Sequence, residues 1–573
     1  MPNPSQVEVA AERANPSLWL DKWHPLAGSD PSSGKILAAV CKGTGDFARS
    51  RVQRDAIVKM LGSRPHRKEV LSTIGPIALH LARATALENA CLAMHPVYAI
   101  PYLLATGLKG VARKYAEDCA QAPKAIVDRI FGRRLEDSES EAAGNAGSVI
   151  FYDALVADEK SCGMKTVDIV NNHHSGYYSG STSHFEDTED PVPVFFLSLR
   201  KGASFEFCLG SRAGASQADV DQAWEWLRFG LVHLGVGAKT NSGYGRFDSA
   251  SDEKFNRLSR KFRLELMSPA FLAGAGQGAE DCQLRGATLR GILRWWWRAA
   301  FGRKMGKDSF RELEGALWGT ASREGAIGLV LRETGVATPK RWENFPKVAR
   351  GEANRRYLAY GMEENRGKAA RWYLDVGARW EVEFVSRSTN ALNRILSAED
   401  VMLHAVNCLG LLCEFGGMGA KSRKGFGSVS GNAKVEDFFK WVDSYKNAEA
   451  PLAGPSLFQN RSKQVALNLP QTATALEALD IVAAAYNSID KKSREYGLPR
   501  TGVKESGKDA LNRCSSPLHI KLVKTKTGYA AKILVLPTPS INSVGINDTE
   551  PEKRAPFRAI QEFERFIQER SNT

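Results

Sequence analysis

The segment Gly237-Ala238-Lys239-Thr240-Asn241-Ser242-Gly243-Tyr244-Gly245 occurs a second time, 182 residues later, as Gly419-Ala420-Lys421-Ser422-Arg423-Lys424-Gly425-Phe426-Gly427. Both segments follow the pattern G-A-K-[ST]-x-x-G-[YF]-G, and we call them loop 1 and loop 2. Similar segments at a long interval indicate a duplicated structural unit when other segments repeat at nearly the same interval.

Two further pairs of segments repeat in the same order. Leu108–Arg113 matches Leu289–Arg294, 181 residues later, in the pattern L-[KR]-G-x-x-R. Gly202–Phe207 matches Gly377–Val382, 175 residues later, and both alternate apolar and polar residues as half-buried strands do. Three matches in register predict two copies of one domain type.

The elements expected within each copy predict its fold. Each copy opens with an alternating strand, at residues 77–81 and 262–266, and enters a helix at the L-[KR]-G motif. A later helix, Ala218–Leu234 or Ala398–Phe415, leads into the glycine-rich loop and a short strand. A hairpin within residues 518–536 indicates a third module. We therefore predict an α+β fold of tandem ferredoxin-like or RRM-like domains, three modules in all, with helical insertions.

The same pattern predicts the domain boundaries. They are an N-terminal extension at 1–75, a first domain at 76–250, a linker at 251–261, a second domain at 262–435, and a C-terminal helical region with the third module at 436–573.

The composition is that of a folded, basic protein. Of 573 residues, 43% are hydrophobic and 25% charged, and 78 Lys and Arg against 64 Asp and Glu give a formal charge of +14. This excess favours a polyanionic partner, although a merely basic protein has the same composition. The sequence has no apolar run long enough for a membrane span and no secretory signal at its start, so we expect a cytoplasmic location without membrane association. The nine Cys are scattered without a C-x-x-C pair, so we expect neither disulfides nor a zinc site, and no cofactor.

The two loops carry the strongest functional signal. Glycine permits positive φ and close approach of backbone N–H groups, and the loops add lysine, hydroxyl and aromatic side chains that suit a phosphodiester and a base. The alternative is a tight turn that needs glycine only for its geometry. A nucleotide-hydrolysing P-loop is excluded, because Ala238 replaces a required glycine and the order is helix, loop, strand.

Basic helices extend the predicted RNA surface. Arg290, Arg294 and Arg298 recur at every fourth residue and predict a stripe on one helix face, whereas the adjacent tryptophans are expected in the core. The residues that we predict to bind RNA are Lys109, Arg113, Gly237, Lys239, Thr240, Asn241, Ser242, Tyr244, Arg285, Arg290, Arg294, Arg298, Gly419, Lys421, Ser422, Arg423, Lys424 and Phe426.

A polar segment, Asp168–Asp190, contains the weak candidates for catalysis. Asp168, His173 and His174 are residue types that an acid–base or metal-dependent ribonuclease uses, and His184, Glu186 and Asp187 lie in the same segment. The spacing matches no standard zinc pattern, and adjacent histidines on an extended chain point in opposite directions. We therefore expect structural or RNA contacts here rather than a metal site.

These segments resemble the RAMP superfamily of CRISPR proteins, in which the glycine-rich loop closes the fold. Residues 15–250 resemble the sixth subunit of the type III-B (Cmr) complex and residues 262–430 the first subunit, as in a natural fusion of the two. The matching segments are Asn15–Lys22, His95–Arg113, Val149–Asp153, Val167–Ile169 and Gly235–Phe247 in the first half, and Ser268–Gly274, Leu284–Gly302, Gly416–Gly427 and Ser515–Pro517 in the second.

The resemblance implies a subunit that caps the crRNA 3′ side of an RNA-guided antiviral effector complex. Its expected partners are crRNA, single-stranded target RNA, the backbone RAMP subunit and the small subunit. In that family cleavage belongs to the repeated backbone subunit, so the resemblance implies binding without catalysis. The alternatives are a RAMP ribonuclease that cuts target or precursor RNA, and an adaptor that binds only proteins.

Overall fold

The computed structural model describes residues 15–18, 33–79, 92–134, 146–179, 181, 191–248, 258–302, 304–320, 322–342, 354–364, 367–445, 463–469, 474–488, 518–526, 528–536 and 555–571. Of the predicted features, residues 19–22, Leu81, His184, Glu186, Asp187, 251–257 and 515–517 lie outside these ranges.

The described residues form both helices and strands throughout the chain. The strands are β1 (His66–Ser72), β2 (Tyr102–Leu103), β3 (Val149–Phe151), β4 (Ala154–Val156), β5 (Lys165–Asn172), β6 (Val192–Leu199), β7 (Ser204–Ser211), β8 (Leu258–Leu266), β9 (Ile327–Gly335), β10 (Pro339–Arg341), β11 (Trp372–Leu374), β12 (Arg379–Ser386), β13 (Thr389–Ala391), β14 (Arg394–Leu396), β15 (Val429–Gly431), β16 (Lys463–Asn468), β17 (Leu518–Lys524) and β18 (Tyr529–Val535). The α-helices are α1 (Pro16–Leu18), α2 (Ser33–Lys42), α3 (Phe47–Leu61), α4 (Ala105–Asp118), α5 (Lys124–Phe131), α6 (Glu159–Cys162), α7 (Ser175–Ser179), α8 (Gln217–His233), α9 (Gly286–Phe301), α10 (Lys307–Trp318), α11 (Arg355–Leu358), α12 (Ala398–Phe415), α13 (Phe438–Asp443), α14 (Ala475–Ser488) and α15 (Ala555–Ser571).

The predicted α+β class is confirmed, because 39% of the described residues are helical and 27% are in strands, and the sheets are antiparallel. It divides into two compact units. The first comprises Met1–Val170, Pro193–Ser259 and Gly328–Val330, and the second comprises Asn171–Val192, Arg260–Ile327 and Leu331–Thr573.

The first unit is built on a five-stranded sheet with the order β1-β7-β4-β2, in which β3 also pairs with β7. Helix α8 is preceded by its N-cap Ser216, whose side chain accepts a hydrogen bond from the backbone N–H of Asp219 at 3.2 Å. Helix α8 packs against α4 and runs into loop 1, so the helix predicted at this position is confirmed. Phe205, Phe207 and Phe247 fill the core beside the sheet.

The second unit repeats this plan with a four-stranded sheet in the order β15-β8-β12-β9. Helix α12 starts with a reciprocal capping box between Ser397 and Asp400 and leads into loop 2. His404 on α12 is fully buried. Its Nδ1 accepts hydrogen bonds from the indole N–H groups of Trp297 and Trp441. Burial lowers the pKa of His404 to about 3, so this imidazole is neutral and structural.

The third module is a three-stranded sheet, β16-β18-β17, covered by α14 and α15, and it contains the predicted hairpin. Its core is continuous with Phe271 and Phe426 of the second copy. Lys521 on β17 is buried, and its ammonium group donates to the carbonyl of Leu412 at 3.1 Å and to that of Val429 at 2.6 Å. Burial lowers the pKa of Lys521 to about 7, and its hydrogen bonds to carbonyls of α12 and β15 join the module to the second copy.

A buried ionic cluster holds α9 against α10. The fully buried carboxylate of Glu314 accepts hydrogen bonds from Arg294 at 2.7 Å, Arg298 at 2.6 Å and the Tyr177 hydroxyl at 2.7 Å. Arg298 also lies 5.1 Å from the centroid of the Tyr177 ring. Three hydrogen-bond donors offset the cost of burying the Glu314 carboxylate. If this carboxylate is removed, the positive charges of its arginine partners stay buried without a counter-charge.

We expect Glu314→Ala to destabilise the protein by about 3–5 kcal/mol, because two arginines then lose their buried counter-charge. Urea denaturation measures this change. The control is Glu436→Ala, which removes an exposed partner of Arg260 and costs no more than about 1 kcal/mol. Equal effects of the two substitutions would show that the cluster does not stabilise the fold.

Candidate nucleic-acid interface

Each glycine-rich loop is hydrogen-bonded to the residues that open its own copy. In the first copy, the N–H of Ala238 donates to the carbonyl of Ala78 at 2.8 Å, and the N–H of Gly245 to that of Pro76 at 2.9 Å. In the second copy, the N–H of Ala420 donates to Phe271 at 2.9 Å, and that of Gly427 to Pro269 at 2.7 Å. The two loops therefore share one backbone frame.

The last glycine of each loop is required by this frame. Gly245 has a φ of 63° and Gly427 a φ of 61°. A Cβ on Gly245 would lie 1.9 Å from the carbonyl oxygen of Val236, and one on Gly427 would lie 1.9 Å from that of Met418. No side chain fits at either position. These two glycines are therefore required by the geometry of the turn, whether or not the loop binds a ligand.

The lysine of each loop has the same unusual backbone conformation. Lys239 has a φ of 59° and Lys421 a φ of 62°, in the left-handed region that a lysine rarely adopts. Each carbonyl accepts a 2.8 Å hydrogen bond from the N–H three residues later, at Ser242 and at Lys424. Left-handed conformations of this kind persist where surrounding structure imposes them and cluster at binding sites.

Loop 1 is packed against strands β5 and β6. The ammonium group of Lys239 lies 4.8 Å from the centroid of the Phe196 ring, and burial lowers its pKa. The buried Tyr244 donates from its hydroxyl to Asp168 at 2.6 Å. Asp168 also accepts from the N–H of Ile169 at 2.7 Å. The carboxylate that the sequence offers as a weak catalytic candidate thus anchors loop 1.

Loop 2 is bound by the third module. The N–H of Ile520 donates to the carbonyl of Arg423 at 2.9 Å, and the N–H of Gly425 donates back to Ile520 at 3.0 Å. The Arg423 guanidinium lies 5.7 Å from the centroid of the Trp295 ring. The Lys424 ammonium lies 5.5 Å from the centroid of the Tyr486 ring, and burial, with Lys421 nearby, lowers its pKa to about 8. Loop 2 therefore holds three cationic side chains in half-buried positions.

The loop aromatics are not available to a base. Tyr244 is 1% exposed and Phe426 is fully buried, where Phe426 packs 5.1 Å from Phe271 and 5.5 Å from Trp342. The sequence suggested that these rings stack on RNA, and the structure corrects this, because both rings point into the core. The other loop positions predicted to bind RNA are exposed or half-buried: Gly237, Thr240, Asn241, Ser242, Gly419 and Ser422.

The predicted arginine stripe on α9 is also corrected. Arg290 is 8% exposed and donates to the carbonyls of Ile327 at 2.8 Å and Trp318 at 2.6 Å. Arg298 is 2% exposed and, with Arg294, binds Glu314. The four-residue spacing does put them on one face, but that face is covered by α10, so Arg290 and Arg298 are structural.

The remaining basic helix residues differ in how firmly they are held. On α4, Arg113 is bound to Glu117 at 2.8 Å and Asp128 at 3.5 Å. Lys109, one turn earlier, is half-buried, and burial with the nearby Arg113 lowers its pKa. Arg285, which precedes α9, is half-buried and donates to the carbonyl of Ala273 at 3.2 Å. Lys109 and Arg285 are therefore the better placed of these for a phosphate.

The two histidines differ in exposure. His174 is 7% exposed and its N–H donates to the Asn172 side chain at 3.1 Å, whereas His173 is exposed. Within the described ranges, no group of three His, Cys, Asp or Glu residues is arranged to hold a metal ion. No helix in that part of the chain is long and apolar enough to cross a membrane.

Relatives of this chain include curated and solved Cmr proteins. The curated Cmr subunit Cmr6 of Pyrococcus furiosus is 33% identical over 129 residues, which are 21% of this chain and 34% of the relative, so the chain spans about a third of that relative's length. Among solved structures, Cmr1 of P. furiosus in its apo form is 19% identical, covering 55% of this chain and 97% of Cmr1, with a TM-score of 0.35. Cmr6 of P. furiosus is 21% identical, covering 34% and 100%, with a TM-score of 0.20.

The family assignment rests on the sequence match, since the TM-scores are low. The model of the RAMP superfamily matches residues 71–248 and, separately, residues 263–430. The two segments together make up more than half of the chain, and each contains one L-[KR]-G motif and one glycine-rich loop. The chain therefore belongs to the RAMP superfamily and contains two tandem copies of its domain.

Proposed function

We propose that the chain is a non-catalytic RNA-binding subunit of a type III-B CRISPR effector complex, with a Cmr6-like half followed by a Cmr1-like half. The family match and the curated Cmr6 relative support a role in such a complex. In this proposal the chain caps the crRNA 3′ side and contacts crRNA, single-stranded target RNA, the backbone RAMP subunit and the small subunit.

The observation that carries RNA binding is the pair of left-handed lysines. Lys239 and Lys421 occupy equivalent places on one backbone frame, although nothing in a turn of this shape needs a lysine. Phosphate contacts would come from the lysines and from Arg423 and Lys424, and base pairing between guide and target would supply sequence specificity.

The absence of catalysis is supported by the state of the candidate residues. Asp168 accepts the Tyr244 hydroxyl and holds loop 1, so its lone pairs are engaged in structure. His174 is buried, and its backbone N–H donates to the Asn172 side chain. The rival function is a RAMP ribonuclease that uses Asp168, His173 and His174.

We expect Lys421→Ala and Arg423→Ala each to weaken binding of single-stranded RNA by the assembled complex. Each should also lower the slope of log affinity against log salt by about 1, because one phosphate contact is lost. Filter binding at several salt concentrations measures both quantities. Lys434→Ala, at an exposed lysine in the same copy, should leave them unchanged. Wild-type affinity in both loop variants would refute the loop assignment.

RNA affinity should fall as the pH rises from 7 to 9. The pKa of Lys424 is lowered to about 8, so the side chain is charged below that pH and loses its charge above it. Lys424→Arg keeps its positive charge over this pH range, so the RNA affinity of the variant should depend less on pH than that of wild type. Other groups that titrate in this range are the same in both proteins. Identical profiles for wild type and variant would exclude Lys424 from the interface.

Cleavage of target RNA by the assembled complex should be unchanged in His174→Ala and His173→Ala. The product ladder on a denaturing gel, quantified against wild type, is the measurement. Asp168→Asn tests the same point while it preserves most of the side chain that holds Tyr244. Loss of one product in any of the three variants would favour the ribonuclease.

A further inference from the structure

The three consecutive tryptophans of α9 have different environments. Trp296 is 2% exposed and Trp297 is fully buried, in agreement with the expected core role. Trp295 is half-buried and lies next to loop 2, where the Arg423 guanidinium approaches its ring. Sequence alone does not separate the three, because the distinction depends on where loop 2 and β17 lie.

Two aromatic neighbours hold the Trp295 ring in place. The indole of Trp296 meets it nearly perpendicularly, at 88° and 5.0 Å between centroids. The His519 ring of β17 lies 5.4 Å away at 31°. An indole whose orientation is fixed by its neighbours loses little entropy when a ligand stacks on it.

The helix has open space one turn before Trp295. Gly291 is exposed within α9, and apart from its chain neighbours and the adjacent backbone of the helix, no heavy atom of the described chain comes within 4 Å of where its Cβ would lie. A glycine inside a helix is destabilising relative to alanine, and here no internal contact requires it. Residues four apart lie on one helix face, so the open space at Gly291 is on the helix face that carries Trp295.

We infer that Trp295, Gly291 and Arg423 form a binding position for one unpaired base of single-stranded RNA. The base would stack on the indole, the absent side chain at Gly291 would admit the nucleotide, and Arg423 would contact its phosphate. Unpaired bases are commonly held by an aromatic face beside a cation, and such stacking tolerates any base. This inference rests on the proposed RNA-binding function and names the form of RNA that the second copy takes.

The position differs from the loop lysines in its dependence on salt. Stacking on an indole involves no release of counterions, whereas each phosphate contact does. Removing the indole should therefore lower RNA affinity without changing the salt slope, and removing Arg423 should change both. This contrast separates a base-binding position from general electrostatic attraction.

The test uses the assembled complex and single-stranded RNA containing 4-thiouridine. We expect Trp295→Ala to lower affinity roughly ten- to hundredfold at constant salt slope, from the usual effect of one stacked base, and to abolish the crosslink to α9. Trp295→Phe should retain much of both signals. The matched control is Trp372→Ala, a half-buried tryptophan that Arg341 approaches at 5.1 Å on strand β11.

Gly291→Ala provides a second variant that cannot fail through misfolding. Alanine favours a helix, so the thermal midpoint should stay the same or rise, while RNA affinity falls because the methyl group fills the space beside Trp295. A purely structural glycine would give no loss of RNA affinity.

The outcomes distinguish this inference from the proposed function. If wild type binds RNA but Trp295→Ala has unchanged affinity and crosslinking, the inference is overturned and the proposed function stands. If wild type retains no RNA, both fail. If Trp295→Ala instead releases a neighbouring subunit while RNA affinity is unchanged, the position is a protein interface and the inference is overturned.

Discussion

Backbone hydrogen bonds between each glycine-rich loop and the opening segment of its copy are the constraint on which both copies depend. The N–H of Gly245 reaches Pro76, and that of Gly427 reaches Pro269. These bonds join the end of a copy to its beginning, and they require the chain to pass closer to a carbonyl than any Cβ permits. Within this frame, the lysine at the third position of the loop has a left-handed conformation in both copies.

The two copies keep this frame and use different surroundings. In the first copy, Asp168 and Tyr244 hold the loop, and Lys239 lies over an aromatic ring. In the second copy, the loop is instead paired with β17, and Phe426 belongs to a core shared with the third module. Loop 2 thus contacts β17 and α14 of the third module, whereas loop 1 is hydrogen-bonded to the Asp168 carboxylate. The second loop, which carries more cations, is therefore the one that contacts the third module.

The features that could be predicted from the sequence are those that backbone geometry determines. The repeated glycines follow from close backbone contacts, so they reveal two copies, their order and the α+β fold, and the 3.6-residue pattern locates α8 and α12 to within about one residue. Side-chain burial is different, since it depends on partners distant in sequence. The spacing of Arg290 and Arg298 gives a shared face, but only the position of Glu314 on α10 shows that this face is internal.

Two features have a backbone cost for the isolated fold. A left-handed lysine occurs in both loops, where an asparagine or glycine would fit the same backbone at less cost. An exposed glycine interrupts α9 beside a half-buried tryptophan, where an alanine would strengthen the helix. By contrast, the buried arginines and the last glycine of each loop have complete structural reasons. Folding alone accounts for the second group but not for the backbone cost of the first, and this difference is the reason that the proposed RNA contacts are assigned to the first group.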